Sequence, residues 1–109
     1  MRKTLLAAVS LLVIVFISAS LAAAGKAKTH TVMMEANKFV PSVLTVRSGD
    51  TIVWVNKDLV AHTATSKVAG FDSGLIAVGK SWKYKVRQKG DVPYVCTFHP
   101  MMTGTLRVK

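Results

Sequence analysis

The residues best equipped for chemistry lie close to the C-terminal end of the chain. The segment Tyr94-Val95-Cys96-Thr97-Phe98-His99-Pro100-Met101-Met102-Thr103-Gly104 sets the only cysteine, a histidine and a methionine at Cys-x2-His-x2-Met spacing. A thiolate, an imidazole and a thioether that close together are three of the four donors of a mononuclear type 1 copper site. The fourth, a second imidazole, has to come from elsewhere. His62 is the candidate, because it follows the alternating apolar run Thr51-Ile52-Val53-Trp54-Val55-Asn56 and a short polar break. Met101 is an alternative thioether to Met102. His30 with Met33-Met34 offers the donors of an auxiliary Cu(I) site but reads more simply as part of an ordinary strand.

These residue types suit one redox ion for a physical reason. Cu(I) favours sulfur and low coordination, whereas Cu(II) favours nitrogen and tetragonal geometry. Two imidazoles and a thiolate with a weak axial thioether serve both states, so little has to move when an electron transfers. The thiolate binds deprotonated, and the metal enforces that. A Cys–His hydrolase is the catalytic competitor. It is disfavoured because Cys96 and His99 are local neighbours, no orienting acid is evident, and the chain is small. No second copper-binding cluster of the kind used by copper oxidases is present, so the expectation is a protein that is not an enzyme.

The elements that must position these donors read as strands. Candidates are 30–35, 43–47, 51–56, 62–66, 81–87, 92–97 and 105–108, with no long segment of helical period. Turn-formers separate them: Pro41-Ser42, Ser48-Gly49-Asp50, Asn56-Lys57-Asp58, Gly70, Gly74, Gly79 and Lys89-Gly90-Asp91. Short alternating strands at such intervals predict an all-β sandwich of about seven to eight strands.

The N-terminus reads as a targeting segment. Met1-Arg2-Lys3-Thr4 is a basic start, Leu5 to Leu21 is nearly all apolar, and Ala22-Ala23-Ala24 is the small-residue pattern a signal peptidase needs. The expectation is cleavage after Ala24, leaving a single domain over 25–109 in the periplasm or another exported compartment. A retained anchor is the competing reading, since the apolar run is about the shortest that spans a bilayer. One free thiol in an oxidising compartment is a liability unless it is buried or spent as a ligand.

Removing Arg2 and Lys3 leaves 13 basic against 5 acidic residues, a formal +8. Such an excess speeds encounters with acidic partners or anionic surfaces and is screened by salt. In Ser81-Trp82-Lys83-Tyr84-Lys85-Val86-Arg87, alternation predicts that Trp82, Tyr84 and Val86 face inward and that Lys83, Lys85 and Arg87 form a basic stripe. Nucleic acid is not an expected partner, because no recognition helix is evident and export removes that substrate.

Nearly all of the sequence after the leader resembles a small cupredoxin of the plastocyanin and amicyanin branch. The matching residues are Phe39-x-Pro41-x2-Leu44-x-Val46-x2-Gly49-Asp50-Thr51-x2-Trp54-x-Asn56-x5-His62. They continue through Phe71-Asp72-Ser73-Gly74 to Tyr94-x-Cys96-x2-His99-Pro100-x-Met102-x-Gly104, with the short ligand loop of amicyanins. The resemblance implies a Greek-key β-sandwich, one type 1 copper ion, and the ligands His62, Cys96, His99 and Met102. It also implies that His99 lies under an apolar surface patch and passes electrons to a partner. Two departures bear on tuning. Phe98 stands where amicyanins carry proline, so its N–H is available as a second donor to the Cys96 sulfur; Thr63 stands where relatives often carry asparagine.

The function these readings predict is an exported, monomeric carrier of single electrons between redox protein partners, acidic ones among them. Copper buffering, delivery or resistance is the alternative.

Overall fold

A computed structural model of the chain describes residue 10, residues 12–14 and residues 25–109. The expected leader over 1–24 and its cleavage site therefore lie outside the described residues for nearly all of their length. Among the described residues, no helix is long and apolar enough to cross a membrane.

Nine strands are described: β1 (Thr29–Glu35), β2 (Lys38–Val40), β3 (Val43–Val46), β4 (Thr51–Asn56), β5 (Thr65–Ser66), β6 (Phe71–Asp72), β7 (Ser81–Lys85), β8 (Gly90–Cys96) and β9 (His99–Val108). They form a four-stranded sheet in the order β2-β1-β4-β7 and a five-stranded sheet in the order β3-β9-β8-β5-β6. The all-β sandwich expected from alternation is thus the fold, with two short strands that local pattern did not predict. Lys38–Val40 is three residues and Phe71–Asp72 two, too short to display a period of their own.

Alternation decides what each strand buries. In β4, Ile52, Trp54 and Asn56 are buried while Thr51, Val53 and Val55 are half-buried on the other face. Val32 and Met34 of β1 join them, and Val92, Tyr94 and Cys96 of β8 with Met102, Leu106 and Val108 of β9 close the core from the second sheet. Each fully buried aliphatic side chain contributes about 1.5–3 kcal/mol of transfer free energy. Aromatic rings knit the middle: Tyr94 lies edge-on to Phe39 at 4.6 Å and to Trp54 at 5.4 Å, and Phe71 packs on Tyr84 at 4.4 Å. The basic stripe behaves as predicted, with Lys83, Lys85 and Arg87 exposed and Trp82, Tyr84 and Val86 half-buried or buried.

Pairing sorts residues to two poles. β1 and β4 run parallel, and β7 antiparallel to β4 brings Lys85 beside Thr51 and Ser81 beside Val55. In the other sheet, β8 and β9 pair Gly90 with Val108 at one end and Cys96 with His99 at the other. One pole therefore gathers the end of β8, the start of β9 and the β4–β5 connection; the other gathers the turns around Asp50 and Gly90.

Candidate metal centre

Cys96 is the last residue of β8 and His99 the first of β9, facing each other across a register shift between Val95 and Cys96. Such an irregularity re-aims side chains at the end of a ladder. Cys96 is fully buried and His99 partly so. His62 sits in the β4–β5 connection and is held by a two-way backbone bridge with Ile76, at 3.2 Å and 2.7 Å. The strand expected over 62–66 is therefore that single bridge followed by the two-residue β5.

The loop that delivers His62 is organised from beneath by Asn56. Its side-chain N–H groups donate to the carbonyls of Val60 and Ile76, both at 2.9 Å, and its Oδ1 accepts from Asp58 N at 2.9 Å. Asp58 then takes up the far side of the His62 ring, with Oδ2 2.8 Å from Nε2. An ionised carboxylate only accepts, so the proton resides on Nε2 and the Nδ1 lone pair is left free to ligate. The carboxyl of Asp58 is drawn down to about 2, first by the Asn37 N–H, then by His62 and the Leu59 N–H. It is therefore charged at neutral pH.

The free Nδ1 of His62 lies 3.6 Å from Cys96 Sγ, and His99 Nδ1 lies 3.7 Å from the same sulfur. The three donor atoms all fall within 4.8 Å of one another. Metal–ligand bonds of about 2.0–2.3 Å opening near 120° would put neighbouring donors about 3.7 Å apart. The observed separations match, so these residues fit a single soft-to-borderline ion in a trigonal arrangement. The two imidazole rings are tilted 64° to each other with centroids 5.1 Å apart.

Methionine is discriminated by strand alternation. Met101 is 95% exposed, whereas Met102 is buried and shares the inward face of β9 with Gly104 and Leu106. The auxiliary donors are not gathered. His30 is 2.8 Å from Asp50 at the opposite pole, and Met34 is buried in the core four residues further along β1.

The sulfur receives one backbone hydrogen bond among the described residues, from Thr63 N at 3.4 Å; the donor expected from Phe98 N–H is not made. Thr63 also stitches the two ligand loops together. Its hydroxyl oxygen accepts from Thr97 N at 2.9 Å and lies 3.1 Å from the hydroxyls of Thr65 and Thr97. Two of these residues, Asp58 and Asn56, were not singled out from sequence as part of the site. Asn56 had a signal: it is a polar residue on the inward register of an apolar strand, where a buried amide must find partners.

The chain resembles known proteins in sequence and in fold. A family model described as the cupredoxin-like domain matches residues 7–108. Amicyanin from Paracoccus versutus is 26% identical over 81 residues, which is 70% of this chain; the chain spans about three fifths (61%) of that relative. Among solved structures, a reduced amicyanin with a proline-to-phenylalanine substitution superposes with a TM-score of 0.68 at 26% identity, covering 74% of this chain and 82% of that one. A copper-containing nitrite reductase from Thermus scotoductus SA-01 superposes with a TM-score of 0.67 at 28% identity, but the match covers only 22% of the reductase against 72% of this chain. With its two-sheet sandwich, its Cys–His–His donor cluster and a family match over nearly its whole length, the chain belongs to the cupredoxin-like family, with a type 1 copper ion as its cofactor.

Proposed function

We propose that this protein is an exported carrier of single electrons, with His62, Cys96 and His99 as equatorial ligands and Met102 as the axial one. The observation that carries the reading is the pair of imidazole Nδ1 atoms at 3.6 and 3.7 Å from one buried thiol. Copper held there supplies a one-electron Cu(I)/Cu(II) couple. The protein's own residues do the rest. Asp58 fixes the tautomer and rotation of His62, Thr63 N–H places partial positive charge on the sulfur, and burial of Cys96 excludes water. The strand ends that carry Cys96 and His99, and the Asn56-braced loop that carries His62, keep reorganisation small when charge changes.

The surface around His99 suits docking of a redox partner. Exposed large apolar residues gather at this pole: Phe98 (56%) and Met101 (95%) beside His99, with Leu59 (91%) and Leu75 (63%) on the loops flanking His62. Large apolar side chains left in water at one pole mark an interaction surface. Partners with acidic surfaces would be drawn in faster by the excess positive charge.

Purified protein loaded with Cu(II) provides the test. A carrier shows intense visible thiolate-to-copper absorption, reversible voltammetry and fast self-exchange, and Cys96→Ser abolishes the colour. Copper transfer to an apo-acceptor that outpaces electron exchange would assign the protein to copper delivery instead. Retention of copper undiminished in Cys96→Ser would refute the ligand set.

A further inference from the structure

Charge is distributed along the molecule as unevenly as apolar surface. Ion pairs among the described residues are limited to His30–Asp50 and His62–Asp58, so no described lysine or arginine is matched by a carboxylate. The pole remote from the copper site concentrates those cations. Lys28, Arg47 and Lys109 line one cavity there with Asp50, and the Ser48 hydroxyl donates to the Arg87 carbonyl at 3.0 Å. Lys85 pairs with Thr51, and Arg107 with Thr45 and Asp91, at the same end of the two sheets. All six are exposed.

The acidic residues of this pole do little to offset them. Asp50 is enclosed, accepting from Lys28 N at 2.9 Å, Arg47 N at 3.0 Å and His30 Nε2 at 2.8 Å. It keeps its charge but offsets only one of the six cations. Asp91 is the other acid, and it stands beside Arg107 in register without closing an ion pair.

Electron exchange does not explain this concentration. β9 runs from His99 to Val108, which at about 3.3 Å per residue is roughly 30 Å from the ligand end. Electron tunnelling weakens exponentially over distance, so a redox partner seated on these cations would be badly placed. Chain direction supplies the second clue. β1 starts at Thr29 at this pole, and Gly25 lies against the Arg47 guanidinium. Gly25, where the described domain begins, thus lies beside the cation cluster, and on the export reading proposed above the apolar run that precedes it in sequence meets the bilayer.

We propose that the pole remote from the copper site is a seat for anionic phospholipid headgroups, holding the domain on the membrane surface with its apolar copper pole turned outward. Exposed cations near an anionic leaflet each strengthen binding about fivefold and lose that strength in salt. Such an orientation would leave the His99 surface free for partners moving along or above the membrane. It requires no metal, so its failure and that of the electron-carrier reading are separable.

The test uses the full 109-residue chain and vesicles of phosphatidylcholine, with and without phosphatidylglycerol. The readout is the ratio of binding to anionic over neutral vesicles, in which partition through the apolar run largely cancels. The triple substitution Arg47→Gln, Arg87→Gln and Lys109→Gln should lower that ratio about 100-fold at low salt. Lys38→Gln, Lys57→Gln and Lys80→Gln, at the copper end of the strands, change net charge equally and should lower it far less. Thermal unfolding of both triples should match the parent, which keeps folding out of the comparison. Equal losses in the two triples, or no preference for phosphatidylglycerol in the parent, would overturn the proposal. So would a remote-pole triple that still binds vesicles but loses salt-sensitive association with an acidic redox protein, since the surface would then belong to a protein partner.

Discussion

Asp58→Ala is the sharpest test of how this site is built. The backbone bridge to Ile76 fixes where the His62 Cα lies, and the 2.8 Å contact from Asp58 to Nε2 is the short hydrogen bond that holds the ring's rotation from the side away from Cys96. His62 is fully buried, so no water replaces that acceptor cheaply. Losing an orienting carboxylate behind a ligand histidine costs about 10–100-fold in metal affinity. We expect a loss in that range for Cu(I), measured by competition against a chromophoric chelator, together with a shift of the thiolate-to-copper band. The same substitution also takes the acceptor from Asn37 N, which lies in the turn where Ala36 and Asn37 adopt φ of 50° and 57°. Apo-protein stability must therefore be measured separately, and Asp58→Asn, which keeps an acceptor but not the charge, should fall between parent and alanine. Unchanged copper affinity in a folded Asp58→Ala protein would refute the argument that this carboxylate sets the ligand's orientation.

Two further predictions concern the scaffold. A Cβ at Gly104 would collide with the ring and hydroxyl of Tyr94, which cannot retreat because Phe39 and Trp54 hold it at 4.6 and 5.4 Å. Gly104→Ala should cost about 1–3 kcal/mol, read as a lowered Tm of the apo-protein, and Tyr94→Leu in the same chain should recover part of it; an unshifted Tm would show that β8 and β9 are not clamped as described. Asp50 is held far below the usual carboxylate range by the Lys28 and Arg47 N–H groups and then by His30. That stabilisation is complete above the unfolded carboxylate value of about 4 and drains away as pH falls below it. Asp50→Asn should flatten the fall of the urea midpoint below about pH 4, and an acid limb as steep as the parent's would rule the role out.

Much of this architecture was legible in the chain itself, for local reasons. Period-2 alternation in Thr51–Asn56 and Ser81–Lys85 reports directly which side chains face inward, because pleating alternates them whatever the partner strand is. The Cys96, His99 and Met102 spacing likewise needs only a few residues of chain to be read. What escaped was either too short to carry a period, as with β2 and β6, or depended on a distant contact. Phe98 is the instructive case. Its N–H was available in sequence, yet the sulfur takes its backbone bond from Thr63, 33 residues away.

The donor inventory, the strand character of the chain and the excess of positive charge follow from residue types and their order alone. Tertiary structure decided that His62 turns Nδ1 and not Nε2 toward Cys96, because Asp58 had to come within 2.8 Å of the other nitrogen. It also decided that apolar residues crowd one pole while unmatched cations crowd the other. Residue types and alternation are local properties of a chain. Which strand ends meet is set by pairing between residues far apart in it, as when Cys96 faces His99 at one end of a ladder and Gly90 faces Val108 at the other.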